Sequence, residues 1–294
     1  MRFTPLLLIA LVFTACQRPP RTLDLQGHRG ARGLYPENSL EGFAAATAIP
    51  EVSTLELDVV VSADRKLVIS HEPWLNGAIC DVDSSLITGN ERRYNLFQMN
   101  ADSIQLYDCG SLGNSRFPGQ KKITTKKPLF SELIEMLGKN ENWIQLNIET
   151  KSAPEGDGIF HPHPKEFVDI LVKELQAAAA AYPEYDLWNK VTIQSFDHRT
   201  LREMRKLHLG AKLCLLTEED REPADLMDEL GFPADVFSPR EDLVTTEMIS
   251  WCHFRGIPVI PWTVNDTARM QELVDLGVDG LISDYPDRFE TLVY

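Results

Sequence analysis

Cysteine is scarce in this 294-residue chain, and none of the five forms a Cys-x-x-Cys pair, which removes the thiolate zinc modules from consideration. Positive charge is in deficit too. With 29 Lys and Arg against 44 Asp and Glu, the net charge is −15; a protein that neutralises a phosphate backbone needs the opposite balance, so no nucleic-acid partner is expected. A small anionic substrate remains compatible, because an acidic shell can enclose a local cationic site built from one metal, Arg29 and Lys151. Low complexity is confined to Ala177 to Ala181, where alanine serves as a helix former and needs no functional reading. Nor does a His-x-His follow the first strand-like run, as a zinc amidohydrolase barrel would require: the neighbour of His28 is Arg29.

The apolar run from Phe3 to Phe13 is too short to span a bilayer and reads as the core of a secretory signal. It leads into Thr14, Ala15 and Cys16, small residues before a cysteine that resemble a bacterial lipoprotein cleavage site, with Phe13 where Leu is usual. The expectation is a signal peptide at 1–16, lipidation of Cys16, a tether at 17–22 carrying Pro19 and Pro20, and a domain at 23–294. The product would be exported and membrane-anchored, facing the periplasm or the cell exterior. An oxidising compartment permits a disulfide between Cys80 and Cys109. Cys214 and Cys252, in apolar surroundings, read as small core residues.

From Leu23 onward, short β-like runs alternate with helical patterns, the signature of βα units on a parallel sheet. Strand candidates are Leu23 to Gly27, Thr54 to Val61, Ile144 to Ile148, Val191 to Gln194, Lys212 to Leu216, Val236 to Ser238, Val259 to Trp262 and Gly280 to Ile282. Eight of them suit a closed barrel. Helical patterns span Asn38 to Ala48 with Ser39 as a cap, Lys165 to Ala181, Arg199 to His208, Ala224 to Leu230, Thr245 to Arg255 and Thr267 to Leu276. Two stretches break the rhythm. Ser62 to Arg65 read as a turn that sends Lys66 to His71 back as a hairpin arm. Residues 72–128 form an insertion too long for an ordinary connection and therefore a candidate cap over a site.

The run Leu55, Leu57, Val59, Val60, Val61 should be apolar throughout if both faces are buried, yet it carries Glu56 and Asp58. Carboxylates two residues apart point the same way from a strand, and burying the pair bare would cost several kcal/mol. A divalent cation is the simplest remedy. Gln145, Asn147, Glu149 and Lys151 alternate with Ile144, Leu146 and Ile148 in the next stave, so Asn147 and Glu149 are expected to join the pair as hard oxygen ligands for Mg²⁺ or Ca²⁺. In a barrel, active sites lie where strands end. His28 and Arg29, Glu149 and Lys151, Gln194 and Trp262 all fall there, and the hairpin returns His71 toward Glu56 and Asp58. Trp262 is either barrel filler or a substrate wall, and Gln194 is similar. His161 and His163, set in an extended His-Pro-His-Pro loop with no acid pattern, are not expected to bind metal.

The stretches GHRGARGLYPENSLEGFAAA, ELDVVVSADRKLVISHE, NIETK, QSF and WTVND resemble, in order, the glycerophosphodiester phosphodiesterase family of metal-dependent TIM-barrel enzymes. The resemblance covers Gln26 to the C-terminus and implies an α/β TIM (β/α)8 barrel with an insertion after the second strand region. It implies catalytic roles for His28 and His71, phosphate contacts from Arg29 and Lys151, and metal ligation by Glu56, Asp58 and Glu149; Gln194 and Trp262 would then touch substrate. Ser39 stands where Thr is usual, Arg65 where a turn glycine is usual, and Glu72 where Asp often follows the histidine. The expected reaction is metal-dependent hydrolysis of a glycerophosphodiester to glycerol 3-phosphate and an alcohol. Two alternatives stand beside it: a phosphoinositide-type phospholipase leaving a cyclic phosphate, and a lipoprotein that binds phosphorylated ligands without cleaving them. Intact histidines disfavour the second, since a receptor needs no proton donors.

Overall fold

The computed structural model describes residues 22–83, 91–139 and 143–294; the expected signal peptide at 1–16, Cys16 and the tether up to residue 21 lie outside them. The described strands are β1 (Asp24–Gly27), β2 (Thr54–Val61), β3 (Leu67–Ile69), β4 (Gln145–Thr150), β5 (Val191–Ser195), β6 (Lys212–Thr217), β7 (Val236–Pro239) and β8 (Gly280–Ser283). All but β3 run parallel, in the order β7-β6-β5-β4-β2-β1-β8. The antiparallel β3 pairs with β2, Val59 opposite Ile69, which is the expected hairpin arm; Arg65 in its turn takes the left-handed conformation (φ 60°) that glycine would favour.

The segment 258–264 closes the sheet. On one side Phe237 N donates to Pro258 O (2.9 Å), Ile260 N to Phe237 O (3.0 Å) and Trp262 N to Pro239 O (3.1 Å); on the other Asp279 N donates to Val259 O (2.8 Å) and Ile282 N to Pro261 O (3.0 Å). The expected strand Val259 to Trp262 is thus an eighth stave of a TIM barrel, joined by isolated bridges because Pro258 and Pro261 have no N–H to give a regular ladder.

Helices α1 (Leu40–Thr47), α2 (Ala101–Ile104), α3 (Phe130–Lys139), α4 (Pro164–Ala181), α5 (Leu187–Lys190), α6 (His198–Arg205), α7 (Pro223–Leu230), α8 (Thr246–Phe254) and α9 (Thr267–Leu276) lie outside the barrel. They bury Phe43, Phe130 and Phe167 against the outward Leu55, Leu57 and Val59 of β2 in one core, each such side chain contributing about 1.5–3 kcal/mol. The sequence pattern left out α3, although Phe130, Leu133, Ile134 and Leu137 bury one helical stripe. It also placed the start of α1 too early: Asn38 is left-handed (φ 55°), and Ser39 is the cap, accepting from Gly42 N. The inside of the barrel is divided. Cys214, Val236, Ile260 and Ile282 make an apolar half, while β1, β2, β4 and β5 present polar side chains.

Within residues 72–128, a second cluster packs Leu75, Ile79, Leu96 and Ile104 onto Val60 and Val68 of the hairpin, and Cys80 is bonded to Cys109 across 29 residues. Cys214 and Cys252 are free and buried. The sharp exit from β1 depends on Gly27, where a Cβ would stand 2.2 Å from Gly30 O. Gly27→Ala is expected to cost about 3 kcal/mol, read as a lowered denaturation midpoint; an unchanged midpoint would show that this turn tolerates displacement.

Candidate active site

Left-handed Arg29 (φ 49°) and Gly30 (φ 83°) follow β1, a conformation that costs a residue with a Cβ roughly 1–2 kcal/mol. Glu56 holds it in place: its Oε2 accepts Arg29 N at 2.8 Å, and its carbonyl lies 3.2 Å from Gly30 N. The acid in β2 therefore builds the loop that carries His28 and Arg29.

Glu56 and Asp58 of β2 and Glu149 of β4 offer carboxylate oxygens within 4.8 Å of one another, because the ladder sets Asp58 beside Glu149. All three are buried. Burial, reinforced by Asp58 and Glu149, pushes the Glu56 carboxyl well above the ordinary glutamate value. Burial also raises Glu149, with Lys151 opposing and Asp58 adding to the rise. Asp58 goes the other way: burial resists its ionisation, but Arg29, His71, Lys151 and the Asn38 amide hold it far below the usual range. Asn38 Nδ2 donates to Asp58 Oδ2 (2.8 Å), Gln194 Nε2 to Glu56 Oε1 (2.8 Å), and Lys151 Nζ to Glu149 Oε1 (2.6 Å). Asp58 Oδ1 is buried with no hydrogen bond. Three hard anionic donors and an orphaned buried oxygen fit a divalent cation.

The two histidines flank this triad, each against its own carboxylate. His28 Nδ1 is 2.7 Å from Asp284 Oδ1, leaving Nε2 toward Glu56, 3.9 Å from Oε2. Burial pushes the His28 imidazole down to about 4 despite Asp284, with Arg32 and Arg29 assisting. His71 Nδ1 meets Glu72 Oε1 at 2.9 Å. Burial resists ionisation of Glu72, yet its bond to His71, and Lys127 and Arg29 nearby, bring it to about 2.

His28, His71, Arg29, Lys151, Gln194, Trp262, Glu56 and Glu149 all line one cavity of about 400 Å³ at the C-terminal ends of the strands. The amide of Gln194 is committed at both ends, accepting from Asn147 Nδ2 (2.9 Å) while it donates to Glu56. Trp262 donates its indole N–H to Ser238 O (3.0 Å) and presents its ring to the cavity. Asn147 does not join the triad as expected: it is level with Glu56, bonds Gln26 and Gln194, and lines a separate cavity beneath. His161 is buried against the Ala153 and Pro162 backbone, and His163 meets Asp157; neither belongs to the carboxylate triad.

Asp284, just past β8, escaped the sequence reading. It accepts from Arg32 (2.7 and 3.0 Å) and Asn265 (2.8 Å) as well as meeting His28. Its position at a strand end was the available signal, the same one that marked His28. Burial would raise the Asp284 carboxyl, but His28 and Arg32 hold it far below the ordinary aspartate value. A depressed carboxyl gives stability that is present above the unfolded-state value and is lost as pH falls through the folded one. Asp284→Asn is expected to cost about 3 kcal/mol at pH 7 by leaving Arg32 unpaired, and to flatten the loss of stability below about pH 5. Denaturant titrations at pH 7 and pH 4 read both; a variant equal to the parent at both would remove Asp284 from this role.

The family model described as glycerophosphoryl diester phosphodiesterase matches residues 28–288. A Caldanaerobacter subterraneus protein named glycerophosphodiester phosphodiesterase is 28% identical over 267 residues, covering 90% of this chain and 96% of that one. A Silicibacter pomeroyi protein solved as a candidate glycerophosphoryl diester phosphodiesterase is 30% identical with a TM-score of 0.77, covering 93% of each chain. An Oleispira antarctica phosphodiesterase, solved with the product sn-glycerol-3-phosphate, has the same fold with a TM-score of 0.71 at 20% identity, over 92% of this chain and 96% of that one. With that match across the barrel and its strand-end residues, the chain belongs to the glycerophosphoryl diester phosphodiesterase family.

Proposed function

We propose that this protein hydrolyses glycerophosphodiesters to glycerol 3-phosphate and an alcohol, using one divalent cation, Mg²⁺ or Ca²⁺, and two histidines. The observation that carries the reading is the convergence of the buried triad Glu56, Asp58 and Glu149 with His28 and His71 at one cavity. The product bound in the Oleispira relative supports it. Phosphodiester cleavage needs charge stabilisation on the non-bridging oxygens, a base for the attacking hydroxyl and an acid for the leaving alkoxide. A cation held by the triad would draw charge from those oxygens. Arg29 and Lys151 add fixed positive charge on either side of Asp58.

His28, lowered to about 4, is neutral at pH 7 and takes the proton of the attacking hydroxyl on Nε2, while Asp284 fixes the ring through Nδ1. His71, oriented by Glu72 through Nδ1, gives a proton to the departing alkoxide. The phosphorus–oxygen bond to the alcohol breaks as the bond to the attacking oxygen forms; water is that oxygen's source, or opens the cyclic phosphate when the glycerol hydroxyl attacks first. Gln194 positions Glu56 from behind, and Trp262 walls the substrate.

We propose further that the protein is exported and tethered to a membrane through lipidated Cys16. The Cys80–Cys109 disulfide supports an oxidising compartment, and no helix among the described residues is long and apolar enough to cross a membrane.

Cleavage of glycerophosphocholine, followed as released glycerol 3-phosphate, should vanish on chelation and return with Mg²⁺ or Ca²⁺. His28→Ala and His71→Ala should each lose about 10²- to 10⁴-fold in kcat with an unchanged circular-dichroism spectrum; wild-type turnover in either would remove that histidine from the mechanism. Because Glu56 holds its proton to a higher pH than an ordinary glutamate, cation binding should release protons and weaken as pH falls. Calorimetry in two buffers of different ionisation enthalpy reads this, and a pH-independent affinity contradicts it.

A further inference from the structure

The end of the barrel opposite the reaction cavity carries a surface that hydrolysis does not use. Strands of a βα barrel begin, and its helices finish, at this N-terminal face. At 253–256, where α8 gives way to the closing stave, Phe254 is 87% exposed, and the Arg255 guanidinium lies 3.8 Å from the centroid of the Trp251 ring and 5.7 Å from that of Phe254. At 205–212, between α6 and β6, Lys206, Leu207, His208 and Lys212 are exposed. The corner between α7 and β7 joins the two. Arg205 lies over the Phe232 ring at 4.4 Å, and Phe232, Trp251 and Arg255 share a groove of about 520 Å³ with Met227 and Ile257.

A single exposed aromatic is unremarkable; its company here is not. On a chain of net charge −15, residues 205–212 and 251–258 contain Arg205, Lys206, Lys212 and Arg255 and no Asp or Glu. Arg205 pairs with Asp235 (3.1 Å) and Lys206 with Glu203 (2.6 Å), and Asp228 is the acid in the groove lining. Among the described residues Lys212 and Arg255 form no ion pair. Aromatic rings beside unpaired cations suit a bilayer interface, where the rings enter the headgroup layer and the cations meet anionic phosphates.

The length of the tether brings a bilayer to this face. Leu23 is packed into the core and opens onto β1 at the same end of the barrel. Seven residue steps separate it from Cys16, at most about 25 Å of extended chain. Helix α4 alone, with 18 residues, is about 27 Å long, so the tether does not reach around the barrel to bring the reaction-cavity end against the bilayer. Within the face the distances are short as well. Asp24 N donates to Asp279 O (2.9 Å) and Asp279 N to Val259 O (2.8 Å), which sets the stave that follows Phe254 and Arg255 two positions from β1, about 10 Å at ordinary strand spacing.

Resting on the lipid tether proposed above, we propose that the N-terminal face of the barrel docks on an anionic phospholipid bilayer, with Phe254 entering the interface beside Trp251 and with Arg255 and Lys212 meeting lipid phosphates. Docked in this way, the reaction cavity opens away from the bilayer, toward the aqueous compartment.

The test places the full-length protein on vesicles of phosphatidylethanolamine with phosphatidylglycerol, doped with a spin-labelled lipid, and on doped vesicles of phosphatidylcholine alone. A fluorophore is attached through Phe254→Cys, at a position open enough to accept it, or through Asp220→Cys, exposed in the loop after β6 at the other end of the barrel. Strong quenching is expected at 254 on the anionic vesicles and none at 220. Arg255→Gln and Lys212→Gln should each lower the ratio of docked to undocked barrels about fivefold, the scale of one cation near an anionic surface, with turnover of glycerophosphocholine unchanged. Quenching at 220 in place of 254 would overturn the inference, and so would equal quenching at 254 on phosphatidylcholine. A 254 label shielded in a detergent-solubilised dimer without lipid would assign the patch to a second copy of the chain and overturn it too. Protein that does not float with the vesicles would overturn the tether and this inference with it, whereas protein that floats with an unquenched 254 label would overturn this inference alone.

Discussion

Three carboxylates drawn from two adjacent strands of a barrel cannot stay buried within 4.8 Å of each other as bare charges, and much of the site consists of what offsets that repulsion. Arg29 and Lys151 bracket Asp58, the Asn38 amide bonds it, and Gln194 bonds Glu56. The compensation remains incomplete. Glu56 is still pushed upward and Asp58 Oδ1 still lacks a hydrogen bond, a residual demand that a divalent cation would answer.

The same acids organise the groups around them. Glu56 accepts from the backbone of Arg29 and so stabilises the left-handed turn that sets His28 at the rim of the triad. His28 and His71 arrive from opposite sides, on the first βα loop and on the hairpin that folds back along β2, and each ring is oriented by a carboxylate of its own. Burial differs between them: His28 is 8% exposed, while the side chain of His71 is about a third exposed. This asymmetry gives the two imidazoles different surroundings at one cavity.

Much of this was legible in the sequence because it violated a pattern. Glu56 and Asp58 interrupt an apolar strand, and the alternation from Gln145 to Lys151 breaks the rule for a stave buried on both faces; both departures sit in the barrel interior. What was illegible depended on partners far apart in the chain. Asp284 lies 256 residues from His28, and its place at a strand end does not say which side chain it meets. The insertion is tied down where Asn95 meets Ile159, a contact between an aperiodic insertion and an equally aperiodic loop. Asn147 was placed with the triad by alternation alone, but alternation fixes the face and not the partners, and its amide is taken by Gln26 and Gln194. The eighth stave was found from its apolar content, while its prolines, which reduce it to isolated bridges, changed the ladder without changing its place.

The account turns on the triad as a cation site. Crystals of the protein soaked in Mn²⁺, a divalent ion suited to the same oxygen ligands, give the most direct view by anomalous scattering. A single strong peak bounded by oxygens of Glu56, Asp58 and Glu149 is predicted. A map with no peak there, and Lys151 Nζ still seated on Glu149 with the ion bound elsewhere, would contradict it.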